Sequence, residues 1–114
     1  MDYLLVLKAI SEESRMKILT LLLQYNYCVR ALARKLNLSE AAVSQHLKVL
    51  REAGLLVGEK RGYFMHYDVN RHVLYELSVR IEEMAATERK TCNPPSIGTK
   101  GEKWRGHCDS HKSK

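Results

Sequence analysis

Between Val43 and Leu50 the apolar positions Val43, Leu47 and Leu50 fall at i, i+4 and i+7. That spacing predicts a helix with one side buried. At about 100° per residue, Ala41, Ser44, Gln45 and Lys48 fall on the other side, which carries small, hydrogen-bonding and cationic groups. Upstream, Val29, Leu32, Ala33 and Leu36 make a second stripe of the same period, ended by Asn37. Asparagine tolerates the left-handed conformation that a tight turn needs. Ser39 is placed as N-cap of the next helix, its hydroxyl accepting a free first-turn amide. Two amphipathic helices joined by Asn37-Leu38-Ser39 have the spacing of a helix-turn-helix.

The flanking segments complete the pattern. Tyr3 to Ile10 reads as a short helix. Ser11 is expected to cap the next, Glu12 to about Gln24, whose buried face is Ile18, Leu19, Leu22 and Leu23. Gly54 stops the helix that carries Val43, Leu47 and Leu50. Leu55 to Lys60 and Phe64 to Val69 read as two strands around Arg61-Gly62-Tyr63, the second alternating from Met65 to Val69. Asn70 to about Arg89 is a last helix with Leu74, Leu77, Ile81, Met84 and Ala85 on one stripe, beside Tyr75 and Val79. The expected fold is mainly α with a two-stranded β-wing: a winged helix-turn-helix.

The polar side of the helix that follows Ser39 suits a major groove. Ser and Gln reach base edges and phosphates, Lys reaches phosphate or guanine, and Ala permits close approach. The expected contacts to double-stranded DNA are Ser39, Ala41, Ser44, Gln45, His46, Lys48 and Arg51, with Lys60 and Arg61 from the wing. His46 lies about 60° off the buried stripe and reads as either structural or phosphate-contacting. An ordinary solvated helix face is the competing reading. The stripe of the last helix is long for so small a core. It predicts a homodimer through the first and last helices, with Leu4, Leu74, Leu77, Ile81 and Met84 at the interface, since palindromic sites reward two-fold symmetry.

Charge supports a polyanionic partner. Formal net charge is +6, and residues 30–61 hold 7 basic and 3 acidic side chains. Residues 89–114 hold 7 basic and 2 acidic. The chain divides into a DNA-binding and dimerisation domain, 1–90, and a basic Cys/His-containing tail, 91–114, too poor in aliphatic residues to bury a core of its own. No run of apolar residues reaches membrane-span length, and the start lacks a basic region before its apolar stretch. The expectation is a cytoplasmic protein with no membrane partner. No nucleophile–base pair, carboxylate pair or Gly-rich phosphate loop stands at a familiar spacing, so the expectation is not an enzyme.

The three cysteines, Cys28, Cys92 and Cys108, are odd in number and widely spaced, unlike a secreted disulfide framework. Each is a buried apolar residue, a metal ligand or a redox thiol. Cys92, His107, Cys108 and His111 offer two sulfurs and two imidazoles, a tetrahedral zinc set in type but not in spacing.

Leu7-Lys8-Ala9-Ile10-Ser11, Ser14-Arg15-Met16-Lys17-Ile18-Leu19, Ser44 to Leu55 and Gly62-Tyr63-Phe64-Met65-His66-Tyr67 together resemble the ArsR-type (ArsR/SmtB) metalloregulator family of winged-helix repressors. The resemblance covers about residues 4–88. It implies a homodimer that binds operator DNA and leaves it when an inducer binds or thiols change state. The family's thiolate run, Cys-Val-Cys-Asp-Leu-Cys, falls on Cys28-Val29-Arg30-Ala31-Leu32-Ala33, where only Cys28 remains. The family's interhelical zinc positions fall on Arg71, Val73, Met84 and Thr87, none of which serves. The cofactor is therefore open: a thiolate-bound metal or metalloid, or none, with Cys28, Cys92, Cys108, His107 and His111 the candidates and a Cys28–Cys92 dithiol switch one form. Two rivals to a repressor remain, a winged-helix protein-interaction module and a metal- or redox-binding protein acting through its tail.

Overall fold

Asp2 starts the first helix by accepting the Leu5 N–H on its carboxylate at 3.1 Å. The structure, a computed structural model, describes residues 1–91. Its elements run α1 (Tyr3–Ile10), α2 (Glu13–Gln24), α3 (Val29–Leu36), α4 (Glu40–Glu52), β1 (Leu56–Arg61), β2 (Phe64–Val69) and α5 (Arg71–Ala85). Residues 1–82 form one unit, which holds α1 to α4, the wing and most of α5. The second unit begins at Glu83.

Capping between α1 and α2 differs from expectation. Ser11 closes α1 instead of opening α2: its N–H meets the Leu7 carbonyl at 3.0 Å and its hydroxyl donates to Lys8 O at 3.1 Å. Glu12 caps α2, accepting the Arg15 N–H at 2.8 Å. Arg15 then reaches back, its Nε donating to Ala9 O at 2.7 Å. A cation on the free carbonyls at a helix C-terminus also meets the negative end of its dipole. Ser11 is thus occupied by the open carbonyls of α1, and the longer Glu12 side chain spans the gap to α2.

The helix-turn-helix forms as its residues predict. Asn37 adopts φ 57°, ψ 45°, and the Leu38 N–H closes on Ala33 O at 2.9 Å. This six-residue closure satisfies a carbonyl that the helix leaves open. Ser39 Oγ accepts the Ala42 N–H at 3.0 Å and starts α4. Gly54, at φ +84°, repeats the closure at the far end, with the Leu55 N–H on Leu50 O at 3.0 Å.

Strands β1 and β2 pair antiparallel from Leu56↔Val69 to Arg61↔Phe64. Arg61 therefore belongs to the strand, and the loop is the two residues Gly62-Tyr63 rather than three. Gly62 has φ +65° and Tyr63 does not share the positive sign, as in a primed hairpin turn with glycine first. The Asn70 N–H donates to Leu55 O at 2.8 Å and shuts the base of the wing. Helix α5 is shorter than expected. The Thr87 hydroxyl takes Glu83 O at 2.9 Å while its N–H turns to Met84 O at 3.3 Å, a local closure that competes with helix continuation.

The core gathers one residue or more from each of these helices: Val6, Ile18, Leu32, Val43, Leu47, Leu50 and Leu55 are its most deeply buried large side chains, with Val73 and Leu77 from α5. Leu47→Ala would leave a cavity costing about 2–5 kcal/mol. The core thereby fixes the roll of α4. Val43, Leu47 and Leu50 are held inward, so the opposite face must look out.

Candidate nucleic-acid interface

On α4 the side chains of Ala41, Ser44, Gln45, Lys48 and Arg51 are exposed. Ala41, Gln45 and Lys48 lie opposite the buried stripe, with Ser44 beside them and Arg51 at the flank of the stripe, and Ser39 stands at the helix start, its hydroxyl held by the cap. Glu40 in the first turn and Arg51 in the last agree with the helix dipole. The face carries the cation of Lys48 and the carboxylate of the exposed Glu52, with Val49 36% exposed at its side.

His46 sits at the edge of that face, 21% exposed, with Nδ1 3.8 Å from Oε1 of Glu12. The contact supports the structural side of the expectation for His46, because its imidazole is turned to the chain's own carboxylate. The Arg15 N–H holds the Glu12 carboxyl below its ordinary value. Partial burial opposes this, while the Ser14 N–H and the charges of His46 and Arg15 add to it.

In the wing, Lys60 and Arg61 are exposed beside the turn. Arg61 Nη2 lies 3.1 Å from Glu59 Oε1, so part of its charge is already answered by the same strand. The fold also brings up cations that the sequence reading left out. Arg30 and Arg34 line a cleft of about 520 Å³ at the turn between α3 and α4, with Arg30 Nε 3.7 Å from Glu40 Oε2. Their signal was present as basic residues on the outward side of the α3 stripe. A second cleft, of about 390 Å³, is lined by Cys28 and Arg30 of the α3 start, Ser44 of α4, and Tyr63, Phe64 and Met65 of the wing. The wing tip and the exposed face of α4 thus border one concavity.

The residues expected at a dimer interface divide. Leu77 is 7% exposed, spent on the chain's own core, and Leu74 packs against that core half-buried. Leu4 and Ile81 are exposed, and so is Met84. The Arg80 guanidinium of α5 stands 5.8 Å from the centroid of the Tyr3 ring of α1.

Cys28 is the free cysteine of the described residues, half-buried as N-cap of α3 without a side-chain capping bond. Arg30 and Ala33 stand where the thiolate run would continue, and Arg30 is turned to Glu40. No group of three or more His, Cys, Asp or Glu side chains among the described residues is placed to hold a metal. The start of α3 does not fit a soft metal ion. Cys92, His107, Cys108 and His111 lie outside the described residues. Among the described residues no helix is long and apolar enough to cross a membrane.

Two capped helices across a tight turn, followed by a two-stranded hairpin, make this a winged helix-turn-helix protein. Residues 12–57 match the family model described as bacterial regulatory protein, arsR family. The transcriptional repressor SdpR of Bacillus subtilis is 35% identical over 71 residues, covering 62% of this chain and 79% of that one. Among solved structures, an ArsR-like transcriptional regulator from Rhodococcus sp. RHA1 superposes with a TM-score of 0.68 at 30% identity, covering 74% of this chain and 79% of that one. Mb0332 of Mycobacterium bovis, described as a homodimeric winged helix-turn-helix DNA-binding domain, gives 0.59 at 26% identity, with 74% and 80% covered. The chain belongs to the arsR family of bacterial regulatory proteins. It is a DNA-binding transcriptional regulator.

Proposed function

We propose that the protein is a homodimeric repressor in which α4 enters the major groove of an operator and the wing follows the neighbouring backbone. One observation carries this reading. The face of α4 that the core turns outward is the one bearing Ala41, Ser44, Gln45 and Lys48. These types read base edges and phosphates. The exposed Leu4, Ile81 and Met84 support a two-fold partner, as does the homodimeric state in the description of Mb0332. The printed role of SdpR supports repression. The domain, 1–90, holds this machinery, and the tail, 91–114, adds basic charge. The setting this reading requires is the cytoplasm, where the DNA is, with no catalytic step.

The test is binding of the full chain to a duplex enriched from a random-sequence library, measured against salt. A repressor making six to ten phosphate contacts loses about 10³–10⁵ in affinity between 50 and 200 mM salt. A protein-interaction module shows no enriched duplex and no such slope.

A further inference from the structure

Tyr63 is 96% exposed and Phe64 is 64% exposed, two adjacent rings at the end of a two-stranded hairpin. Rings of this size ordinarily dominate cores and interfaces. Here the backbone holds them out. Gly62 takes the positive φ, which leaves Tyr63 at the second loop position and Phe64 as the first residue of β2.

From this we infer that Tyr63 and Phe64 form an aromatic wedge that enters the minor groove of the bound duplex and opens one base step; the inference rests on the DNA-reading role of α4. Three observations carry it. The rings border the same cleft as Ser44, so a duplex seated on α4 passes the wing tip. Lys60 and Arg61 flank the tip, so the surface around the rings suits phosphate. A hairpin two strands wide is also narrow enough for the tip, not its flank, to meet the groove beside the one α4 occupies. Apolar side chains inserted between base steps are a known means of kinking duplex DNA. The tip fits a protein partner less well. Two rings on a hairpin end supply far less than the roughly 1,000 Å² that a specific protein interface buries. One or two side chains are enough for a wedge.

The experiment uses the full chain and the library-enriched duplex, with 2-aminopurine substituted singly at positions flanking the site. Wild-type protein should raise the probe's fluorescence at one base step on each flank. Tyr63→Ala and Phe64→Ala should abolish the rise and weaken binding about tenfold, the scale of one lost aromatic–base stack. Both should leave the salt slope unchanged, since neither removes a charge. Tyr63→Trp should restore the signal. Melting curves of each variant check that the fold persists; the turn conformation rests on Gly62, which none of them alters. If wild type binds tightly and no position brightens, the wedge is overturned and the reading by α4 stands. If no duplex is enriched at all, the DNA-reading role itself fails. If Tyr63→Ala instead changes the sedimentation of the protein, the rings serve a protein contact and the wedge is overturned.

Discussion

The Glu12 carboxylate and the His46 imidazole lie 3.8 Å apart, joining the first turn of α2 to the middle of α4. The same Glu12 oxygen accepts the Arg15 N–H, so one side chain caps one helix and steadies the roll of another. His46→Ala should therefore lower the melting temperature and leave the ratio of enriched-duplex to random-duplex affinity unchanged. Loss of that ratio at constant stability would make His46 a DNA contact instead.

The pH dependence follows from Glu12. Its carboxyl is held below the ordinary value by the Arg15 N–H, so folding favours the ionised form. The stabilisation is complete above the usual carboxylate range and is lost as pH falls through the lowered value of the folded state. Glu12→Gln keeps an oxygen for the cap and loses the charge. Melting temperatures of the two proteins should differ at neutral pH and converge in acid. Parallel curves down to the acid limit would contradict the assignment.

The wing cations act on all sequences alike. Lys60→Ala should flatten the plot of log K against log[salt] by about 0.9 for each phosphate contact removed. Arg61 shares its charge with Glu59 at 3.1 Å. Glu59→Gln should release it and tighten binding to enriched and random duplex equally. A change confined to one sequence would mean that the wing reads bases.

Ile81 is half exposed on α5, in a chain whose Leu77 is already committed inward. Ile81→Glu should place an unpaired charge in the two-fold interface, a cost of about 3–5 kcal/mol for a buried charge without a partner. Sedimentation should show dimer for wild type and monomer for the variant. A wild-type monomer at micromolar concentration contradicts the dimer.

Local chemistry explains how much could be read beforehand. The stripe Val43, Leu47 and Leu50, the turn at Asn37 and the cap at Ser39 are each decided within a few residues, and the structure has them where the pattern puts them. Ser11 and Glu12 are both plausible caps in sequence. The choice depends on where α1 ends and on Arg15 reaching Ala9, a contact six residues back. Leu77 and Ile81 share one stripe, and periodicity has no means of telling which of them the chain's own core covers. A reading by charge finds Lys60 and Arg61 at the wing tip and passes over Tyr63, which lies in the turn on either loop length and is 96% exposed there.

Cys28 borders the cleft that also holds Ser44 and the wing tip. A group attached there stands where the duplex passes. Treatment with N-ethylmaleimide should release wild type from enriched DNA by tenfold or more, on the scale of one or two lost contacts at about 1.4 kcal/mol per tenfold. Cys28→Ser should resist release, and Cys92→Ser and Cys108→Ser should behave as wild type. A Cys28→Ser protein released like wild type removes Cys28 from the account.

The central claim is that the outward face of α4 reads sequence, and Gln45 is its most direct test. Its amide is exposed at the middle of that face, and a bidentate amide contact to a base is worth about 1–3 kcal/mol of discrimination. Affinities of wild type and Gln45→Ala should be measured for the enriched duplex and for random duplex at one salt concentration. The account predicts that the ratio falls by that amount while random-duplex binding and the melting temperature hold. An unchanged ratio in a folded Gln45→Ala protein, repeated in Ser44→Ala, contradicts it.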